Sequence, residues 1–414
     1  MLHGILGSAA LLIVAYGISE NRTEIPWRTV LAGIALQWLL AVVLIGFPPA
    51  QSLILLLNDG ADALQRATDT GTGFVFGYLG GGALPFAESY PGASFILAFK
   101  ALPLVLVISA LSAVLFHWGI LQKITAAFAF VLRRIMGVGG ALALGAAVHI
   151  FVGMIEAPLL VRPYLARMQR GELFALMTCG MAGVAGTVMV IYAGFLAPIL
   201  PNALGNILIA SVISTPAGLA VAALMVPFHA ALDETSKIVL PHPSSSTMDA
   251  VVRGTADGIP VLVGIIATLL VTITFVTLIN MALGQLPDIH GGAISLQRIA
   301  ALPFRPVMWL IGIPWPETAI AAHLMATKTV LNEFVAYLNL ASLPTGDLAA
   351  RSRLILTYAL CGFANFGSLG ILIGGLGIMV PERRAEIVGL GLRAILSGTI
   401  ATCLSGAVIG ALIS

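Results

Sequence analysis

The sequence predicts an all-α protein that crosses a membrane many times, and three observations support this prediction. Hydrophobic residues make up 59% of the 414-residue chain and charged residues only 9%, with a mean hydropathy of +1.04. A soluble domain carries about 25% charged residues, so lipid must be the main solvent of this chain. Apolar stretches long enough to span a bilayer recur along the sequence, and polar clusters interrupt two further apolar segments. The net charge of +2 gives no indication of a nucleic-acid partner.

Eight apolar stretches are predicted to be transmembrane helices, because a helix needs about 20 such residues to cross a bilayer. The first stretch resembles a secretory signal peptide in length, but it has no basic amino-terminal region and no A-x-A cleavage site. We therefore expect it to be a membrane helix as well. The predicted spans cover residues 2–18, 29–48, 95–117, 174–198, 203–228, 259–283, 353–378 and 388–412.

Two other segments, residues 138–165 and 306–340, are apolar but carry a polar cluster at mid-length. Neither pattern is typical of one uninterrupted crossing, so we expect two re-entrant hairpins. Irregular backbone is tolerated at membrane depth only where it lines protein or a water-filled cavity. A glycine-rich helix follows each segment, and the two hairpins enter from opposite sides. This arrangement is an inverted repeat, the usual plan of secondary transporters.

The basic residues orient the chain in the membrane, because cytoplasmic loops are enriched in lysine and arginine. Most of them fall on one side if each hairpin enters and leaves on the same side. Both termini are then predicted to lie outside. Five arginines on the outer side are exceptions, namely Arg66, Arg298, Arg305, Arg351 and Arg353.

Two glutamates in the interrupted segments, Glu156 and Glu333, are predicted to be functional. An ionisable side chain inside a membrane costs several kcal/mol, so a functional role is the first hypothesis. The alternative is a structural hydrogen bond between the arms of a hairpin. Pro158 favours the functional interpretation, because it frees backbone groups near Glu156. His149 lies seven residues before Glu156, on the same face of a helix.

Asparagine and serine side chains accompany Glu333. Asn332 precedes it, and Asn365 and Ser368 are spaced i, i+3 in the next glycine-rich helix. Together these residue types suit a ligand with many hydroxyls, since they supply donors and acceptors. The alternative for Asn365 and Ser368 is packing between helices. No nucleophile motif, phosphate-binding loop or metal-binding spacing occurs, so we predict no enzyme activity, no cofactor and no metal beyond possible Na+.

The motifs of the chain resemble those of the concentrative nucleoside transporter family over almost its whole length. "ISENRTEIPWRTVLAGIALQ" and "FVFG" resemble the amino-terminal third of that family. "EAPLLVRPYL" resembles its first hairpin and "TKTVLNEFVAYL" its second. "YALCGFANFGSLGILIGGLG" and "PERRAEIVGLGLRAILSGTIA" resemble its carboxy-terminal helices.

The resemblance implies a homotrimer in a bacterial inner membrane, with both termini periplasmic and a nucleoside as substrate. It also implies scaffold and transport domains, divided here into five parts. These are scaffold helices at 1–118, an interfacial helix at 119–137, a first transport repeat at 138–228, a linker and scaffold helix at 229–303, and a second transport repeat at 304–414.

The resemblance also assigns residues to a substrate site and a cation site. Glu333, Asn365 and Ser368 match the residues that hold ribose hydroxyls. The residues that match the nucleobase side are Met154, Ile155, Glu156, Val188 and Phe363, and those that match the cation site are His149, Val152, Gly183 and Val184.

The sequence departs from the family at the first-hairpin tip and at the cation site. The usual tip reads Gly-Gln-Thr-Glu-Ala-Pro, whereas Met154 and Ile155 replace the two polar residues here. An asparagine and a serine usually bind sodium, and His149 and Gly183 replace them. Leu142 stands where the family often has a glutamate.

From these departures we expect a nucleoside symporter that is proton-coupled or sodium-independent, with relaxed or purine-leaning base selection. His149 or Glu156 is the expected proton carrier. Three alternatives remain open: sodium coupling through backbone carbonyls, transport of another ribose-bearing solute, and a substrate sensor that does not transport.

Overall fold

The computed structural model describes residues 2–88, 93–229, 244–288, 292–344 and 346–413, and every regular element in these ranges is a helix. Part of the predicted linker, residues 230–243 and 289–291, lies outside the described residues. Short 3-10 helices cover Gly77–Gly80, Trp315–Glu317 and Pro381–Arg383. The α-helices are α1 (Leu2–Gly17), α2 (Trp27–Gly46), α3 (Pro48–Phe76), α4 (Leu97–Lys100), α5 (Leu104–His117), α6 (Ile120–Met136), α7 (Gly140–His149), α8 (Glu156–Leu160), α9 (Arg162–Leu165), α10 (Arg170–Ala182), α11 (Gly186–Leu196), α12 (Ala203–Met225), α13 (Thr247–Leu283), α14 (Leu296–Leu310), α15 (Thr318–Val330), α16 (Glu333–Ser342), α17 (Ala350–Leu360), α18 (Phe366–Met379) and α19 (Arg384–Leu412).

The predicted spans coincide with helices. Among the described residues, six helical stretches are long and apolar enough to cross a membrane. They are α2, α4 with α5, α10 with α11, α12, α13, and α19 with the 3-10 turn before it. The shorter apolar helices α1 and α18 occupy the two remaining predicted positions. The all-α membrane fold is therefore confirmed.

One long helix was not predicted. The 29 residues of α3 follow α2 directly, with prolines at its first positions. Proline is favoured there because the first turn of a helix needs no backbone N–H donor. Continuous hydropathy does not mark this stretch as a span because Asp59, Asp62, Arg66 and Asp69 interrupt the apolar residues. The predicted helix at 119–137 is observed as α6.

The helices differ sharply in how deeply they are buried. In α12 and α19, 89% of the residues in the apolar span are buried, whereas in α13 the value is 11%. Helix α13 packs along α5, and α2 and α1 pack against α12 and α19. The outer surface of α13 therefore faces away from this chain. The boundaries of the five parts predicted from the sequence stay a prediction.

Two helical hairpins, each followed by a broken helix, form the centre of the molecule. The first hairpin consists of α7 and the short helices α8 and α9, and the second consists of α15 and α16. The broken helices are α10–α11 and α17–α18. The two breaks meet, because the backbone N–H of Phe363 donates to the Gly183 carbonyl at 3.2 Å. The repeated hairpins are those that the sequence predicted, whereas the predicted spans at residues 174–198 and 353–378 are each interrupted by a break.

Asparagines cap the starts of α16, the second arm of the second hairpin, and α18, the second part of its broken helix. The Asn332 side chain accepts a hydrogen bond from the Val335 N–H at the start of α16. The Asn365 side chain accepts one from the Ser368 N–H at the start of α18. A capping side chain satisfies one of the free N–H groups at a helix start. The tip of the second hairpin and the break before α18 therefore each end at an asparagine beside the candidate site.

Candidate functional site

The structure brings Glu333 and Asn365 into direct contact. Glu333 is 4% exposed, and its Oε2 accepts a hydrogen bond from Asn365 Nδ2 at 2.9 Å. Its Oε1 accepts one from the Tyr192 hydroxyl at 2.7 Å. Donors from α11 and from the break before α18 thus hold both carboxylate oxygens in place.

Asn365 is not on the surface of α18, as the i, i+3 spacing had suggested, but caps that helix. Its Oδ1 accepts from the Ser368 backbone N–H at 2.7 Å, while its Nδ2 faces Glu333. Ser368 lies in the first turn of α18 and is 8% exposed. The side chain of Asn365 therefore caps α18 and holds the Glu333 carboxylate at the same time.

Tyr192 was not predicted from the sequence. It is 2% exposed, and its ring packs against those of Phe334 and Tyr337. A buried tyrosine usually finds a partner for its hydroxyl. Here the partner is Glu333, 141 residues further along the chain. No local sequence signal points to a contact over that separation.

The tip of the first hairpin is arranged differently from that of the second. Glu156 is exposed, and its carboxylate folds over Gly153. Glu156 is therefore far less enclosed by the protein than Glu333, which is 4% exposed. The tip is irregular before α8 begins at Glu156.

The two apolar tip residues pack into the protein. Met154 is 7% exposed and lies beside Gly180 of α10. Ile155 contacts Gly375 of α18, where a side chain at residue 375 would collide with it. Of the three predicted base-side residues at this tip, Glu156 alone is exposed.

The other two predicted base-side residues lie at the breaks. Val188 belongs to the first turn of α11 and is 6% exposed. Phe363 is half-buried in the break before α18. Its ring meets the His149 ring edge-on, with centroids 6.5 Å apart. Phe363 therefore connects the predicted base side to the predicted cation site.

His149 is 2% exposed at the end of α7, and neither ring nitrogen makes a hydrogen bond with the described part of the chain. The backbones of Gly153 and Gly183 are its polar surroundings. A Cβ atom at Gly183 would lie 3.5 Å from His149 Nε2 and 3.0 Å from Ser211 Oγ. A side chain at residue 183 would therefore touch the imidazole at an ordinary contact distance and would press on Ser211.

Two carbonyl groups of the predicted cation site already accept hydrogen bonds from the protein. The Ser211 hydroxyl donates to the Val184 carbonyl at 3.4 Å, and the Gly183 carbonyl accepts from Phe363. Val152 lies in the turn that follows α7. Across the described ranges, no group of three or more His, Cys, Asp or Glu side chains could hold a metal ion.

An apolar helical bundle around two hairpins, two broken helices and a buried polar cluster defines a membrane transporter. Three family models match the chain. The carboxy-terminal and amino-terminal models of the Na+-dependent nucleoside transporters match residues 206–410 and 6–79, and a model described as "Gate: Nucleoside recognition" matches residues 98–199.

Relatives and solved structures agree with these matches. The chain is 36% identical to an uncharacterized transporter of Haemophilus influenzae, over 99% of this chain and 97% of that one. It is 30% identical to the putative nucleoside permease NupX of Escherichia coli K12, over 99% and 98%. The structure of CNTnw in an inward-facing substrate-bound state has a TM-score of 0.87 and 33% identity, over 99% and 97%. The chain belongs to the concentrative, Na+-dependent nucleoside transporter family, whose members are transporters and not enzymes.

Proposed function

We propose that this protein imports nucleosides by cation-coupled symport and binds their ribose through Glu333, Asn365 and Ser368. It acts as a homotrimer in the bacterial inner membrane, with both termini periplasmic. The observation that carries the substrate assignment is the geometry around Glu333. An ionised carboxylate has about four lone-pair sites. Tyr192 and Asn365 use two of them, so the carboxylate keeps acceptor capacity for ligand hydroxyls.

Uptake into proteoliposomes tests this assignment. Radiolabelled uridine is expected to accumulate, and unlabelled ribonucleosides are expected to compete better than nucleosides without the 2′ or 3′ hydroxyl. Equal competition by ribose and deoxyribose forms contradicts a ribose site at Glu333. Competition by free ribose as strong as by nucleosides favours the alternative that another ribose-bearing solute is carried.

The base side of the site supports relaxed or purine-leaning selection. Met154 and Ile155 have no group that hydrogen-bonds a pyrimidine edge, and both pack against glycines of neighbouring helices. Glu156 is the exposed acceptor at this tip. A site without polar partners discriminates mostly by shape and apolar contact, which gives only modest selectivity.

Competition of labelled uridine by adenosine, inosine and cytidine measures the base selection. We expect the two purine nucleosides to compete as well as cytidine or better. The matched variant carries Met154→Gln and Ile155→Thr, which restores the family's residues, and it is expected to shift the preference towards pyrimidines. A strong preference of the unmodified protein for uridine and cytidine contradicts the proposal.

The coupling ion is proposed to be the proton, because the predicted sodium ligands are absent and a buried imidazole takes their place. The His149 ring lies beside the backbones of Gly153 and Gly183, and the Glu156 carboxylate lies over the same Gly153. Imidazole suits protons better than a hard cation such as sodium, which prefers several oxygen ligands. Either His149 or Glu156 carries the proton.

Sodium coupling is the second candidate, and Ser211 is the observation that favours it. Its hydroxyl lies next to the Val184 carbonyl, so it offers an oxygen close to the position from which the family's serine is missing. Two uptake experiments separate the candidates: replacement of sodium by choline at fixed pH, and an inward proton gradient without sodium. Uptake that stops without sodium and does not respond to the proton gradient refutes proton coupling.

A further inference from the structure

A lysine is buried completely in the centre of the bundle. Lys328 lies on α15, five residues before Glu333, and its exposed fraction is 0%. Its Nζ donates to the Ala359 carbonyl and to Thr402 Oγ1, each at 2.9 Å. Charged side chains inside membrane proteins face the interior and pair there, because an unpaired charge is costly.

The first contact of Lys328 is with the Ala359 carbonyl, which accepts no hydrogen bond from the next turn of α17. Ala359 is in the last turn of α17, and a continuing helix would bond its carbonyl to the N–H of residue 363. The Phe363 N–H donates to Gly183 instead, because the helix breaks after Leu360. Lys328 therefore supplies the donor that the break removes. A positive charge is also favourable at the negative end of a helix.

The second contact joins Lys328 to α19. The Thr402 hydroxyl donates its proton to the Thr399 carbonyl at 3.1 Å, so its oxygen is free to accept from the ammonium. The lysine thus connects the second hairpin to α17 and α19 at one point. The break that it holds leads directly to Asn365, the residue that contacts Glu333.

Lys328 also provides the positive charge nearest in sequence to Glu333. The two residues lie on the two arms of one hairpin with exposed fractions of 0% and 4%, and the described residues show no direct ion pair between them. In a dry interior the attraction between two charges is screened far less than at the surface. Glu333 is itself held by Tyr192 and Asn365, two neutral donors that bring no charge.

We propose that Lys328 is the positioning residue of the ribose side. It holds the end of α17 that presents Asn365, and it supplies the counter-charge that lets Glu333 stay ionised before a substrate arrives. The role in ribose binding rests on the proposed function, whereas the charge coupling between the two residues does not.

Thermal unfolding without nucleoside tests the coupling, independently of what is transported. We expect Lys328→Met to lower the unfolding midpoint by several degrees, because it leaves Glu333 as an unbalanced buried charge. The double variant K328M/E333Q is expected to recover about half of that loss or more. A double-mutant cycle of this kind isolates the pairwise interaction.

Arg353 provides the matched control. It is a second buried cation, on α17, and it donates to the carbonyls of Leu340, Leu343, Pro344 and Leu348. Arg353→Met is expected to lower the midpoint by the same amount in the unmodified protein and in the E333Q variant. If the losses from K328M and E333Q simply add, or if K328M/E333Q is no better folded than K328M, the counter-charge role is wrong.

Transport kinetics test the positioning role. In the single variant K328M, the KM for uridine is expected to rise about tenfold or more, the size of one lost bond to a charged acceptor. The KM for 3′-deoxyuridine is expected to change much less, and the maximal rate to fall less than the affinity. If Lys328 only stabilised the fold, the substitution would raise both KM values equally. That outcome overturns the positioning role.

Discussion

The substitution Glu333→Gln examines the centre of the proposed site with almost no change in shape. In the unmodified protein each carboxylate oxygen accepts one internal hydrogen bond, from Tyr192 at 2.7 Å and from Asn365 at 2.9 Å. Glutamine keeps one of these oxygens and replaces the other by an amide that donates. The amide can face the Tyr192 hydroxyl, which accepts from it, so the remaining oxygen has to serve both Asn365 and the ligand.

The magnitude follows from the number of bonds lost. A hydrogen bond to a charged group contributes roughly 1.5–3 kcal/mol, so the loss of one ribose bond reduces affinity about 10- to 150-fold. We expect the KM for uridine to rise within this range. The KM for 3′-deoxyuridine is expected to rise less, since that substrate makes one bond fewer from the outset.

Uptake into proteoliposomes and direct binding to detergent-solubilised protein both measure the effect. Glu317→Gln is the control, because Glu317 is only partly buried and its carboxylate accepts from the Ala349 N–H, away from the candidate site. It should leave both KM values unchanged. Uridine uptake by Glu333→Gln at the original affinity would remove Glu333 from the substrate site and refute the lone-pair reasoning.

Three further predictions concern other parts of the molecule. Tyr192→Phe removes one donor to Glu333 and is expected to weaken uridine binding about tenfold without loss of the folded protein, as measured by uptake and thermal unfolding. The pair His149→Asn and Gly183→Ser restores the family's ligands and is expected to make uptake sodium-dependent, whereas Gly183→Ser alone should leave uptake sodium-independent because the imidazole of His149 still occupies the other ligand position. Glu20→Gln is expected to reduce stability by no more than about 1 kcal/mol at neutral pH, because its bonds to Arg170 and Arg393 lie at the surface. The bond from Arg170 lowers the pKa of Glu20 below its ordinary 4.5. The stabilisation is therefore present above that value and is lost as the pH falls through the lowered pKa, so the difference between the two proteins should vanish in acid.

The fold could be predicted largely because lipid imposes simple rules. Span length, polar interruptions and the repeat of a glutamate before a glycine-rich helix are all visible in the sequence. The helices at the predicted spans and the two hairpins confirm that prediction. Helix α3 was not predicted because its residues between Pro48 and Phe76 mix apolar and acidic side chains. No rule based on continuous hydropathy detects such a helix.

The contacts of the site were less predictable, since they join residues far apart in the chain. Asparagine at residue 365 could be identified as polar and unusual, yet its role as a helix cap depends on where α18 begins. Tyr192 resembles any aromatic residue of a membrane helix until its hydroxyl is placed at Glu333. Lys328 does carry a signal, because a lysine in an apolar segment is rare. Its partners on α17 and α19, however, lie 31 and 74 residues further along the chain.

The two glutamates occupy corresponding places in the two repeats, but the structure treats them differently. Glu333 is 4% exposed and is held by donors from two other elements. Glu156 is exposed and folds over a glycine of its own hairpin. Ligand groups that are met by a preorganised partner bind with less loss of conformational entropy. The ribose is common to all nucleosides, whereas the base varies. On the proposed function, the rigid side therefore selects the class of substrate, and the open side determines how many members of that class are carried.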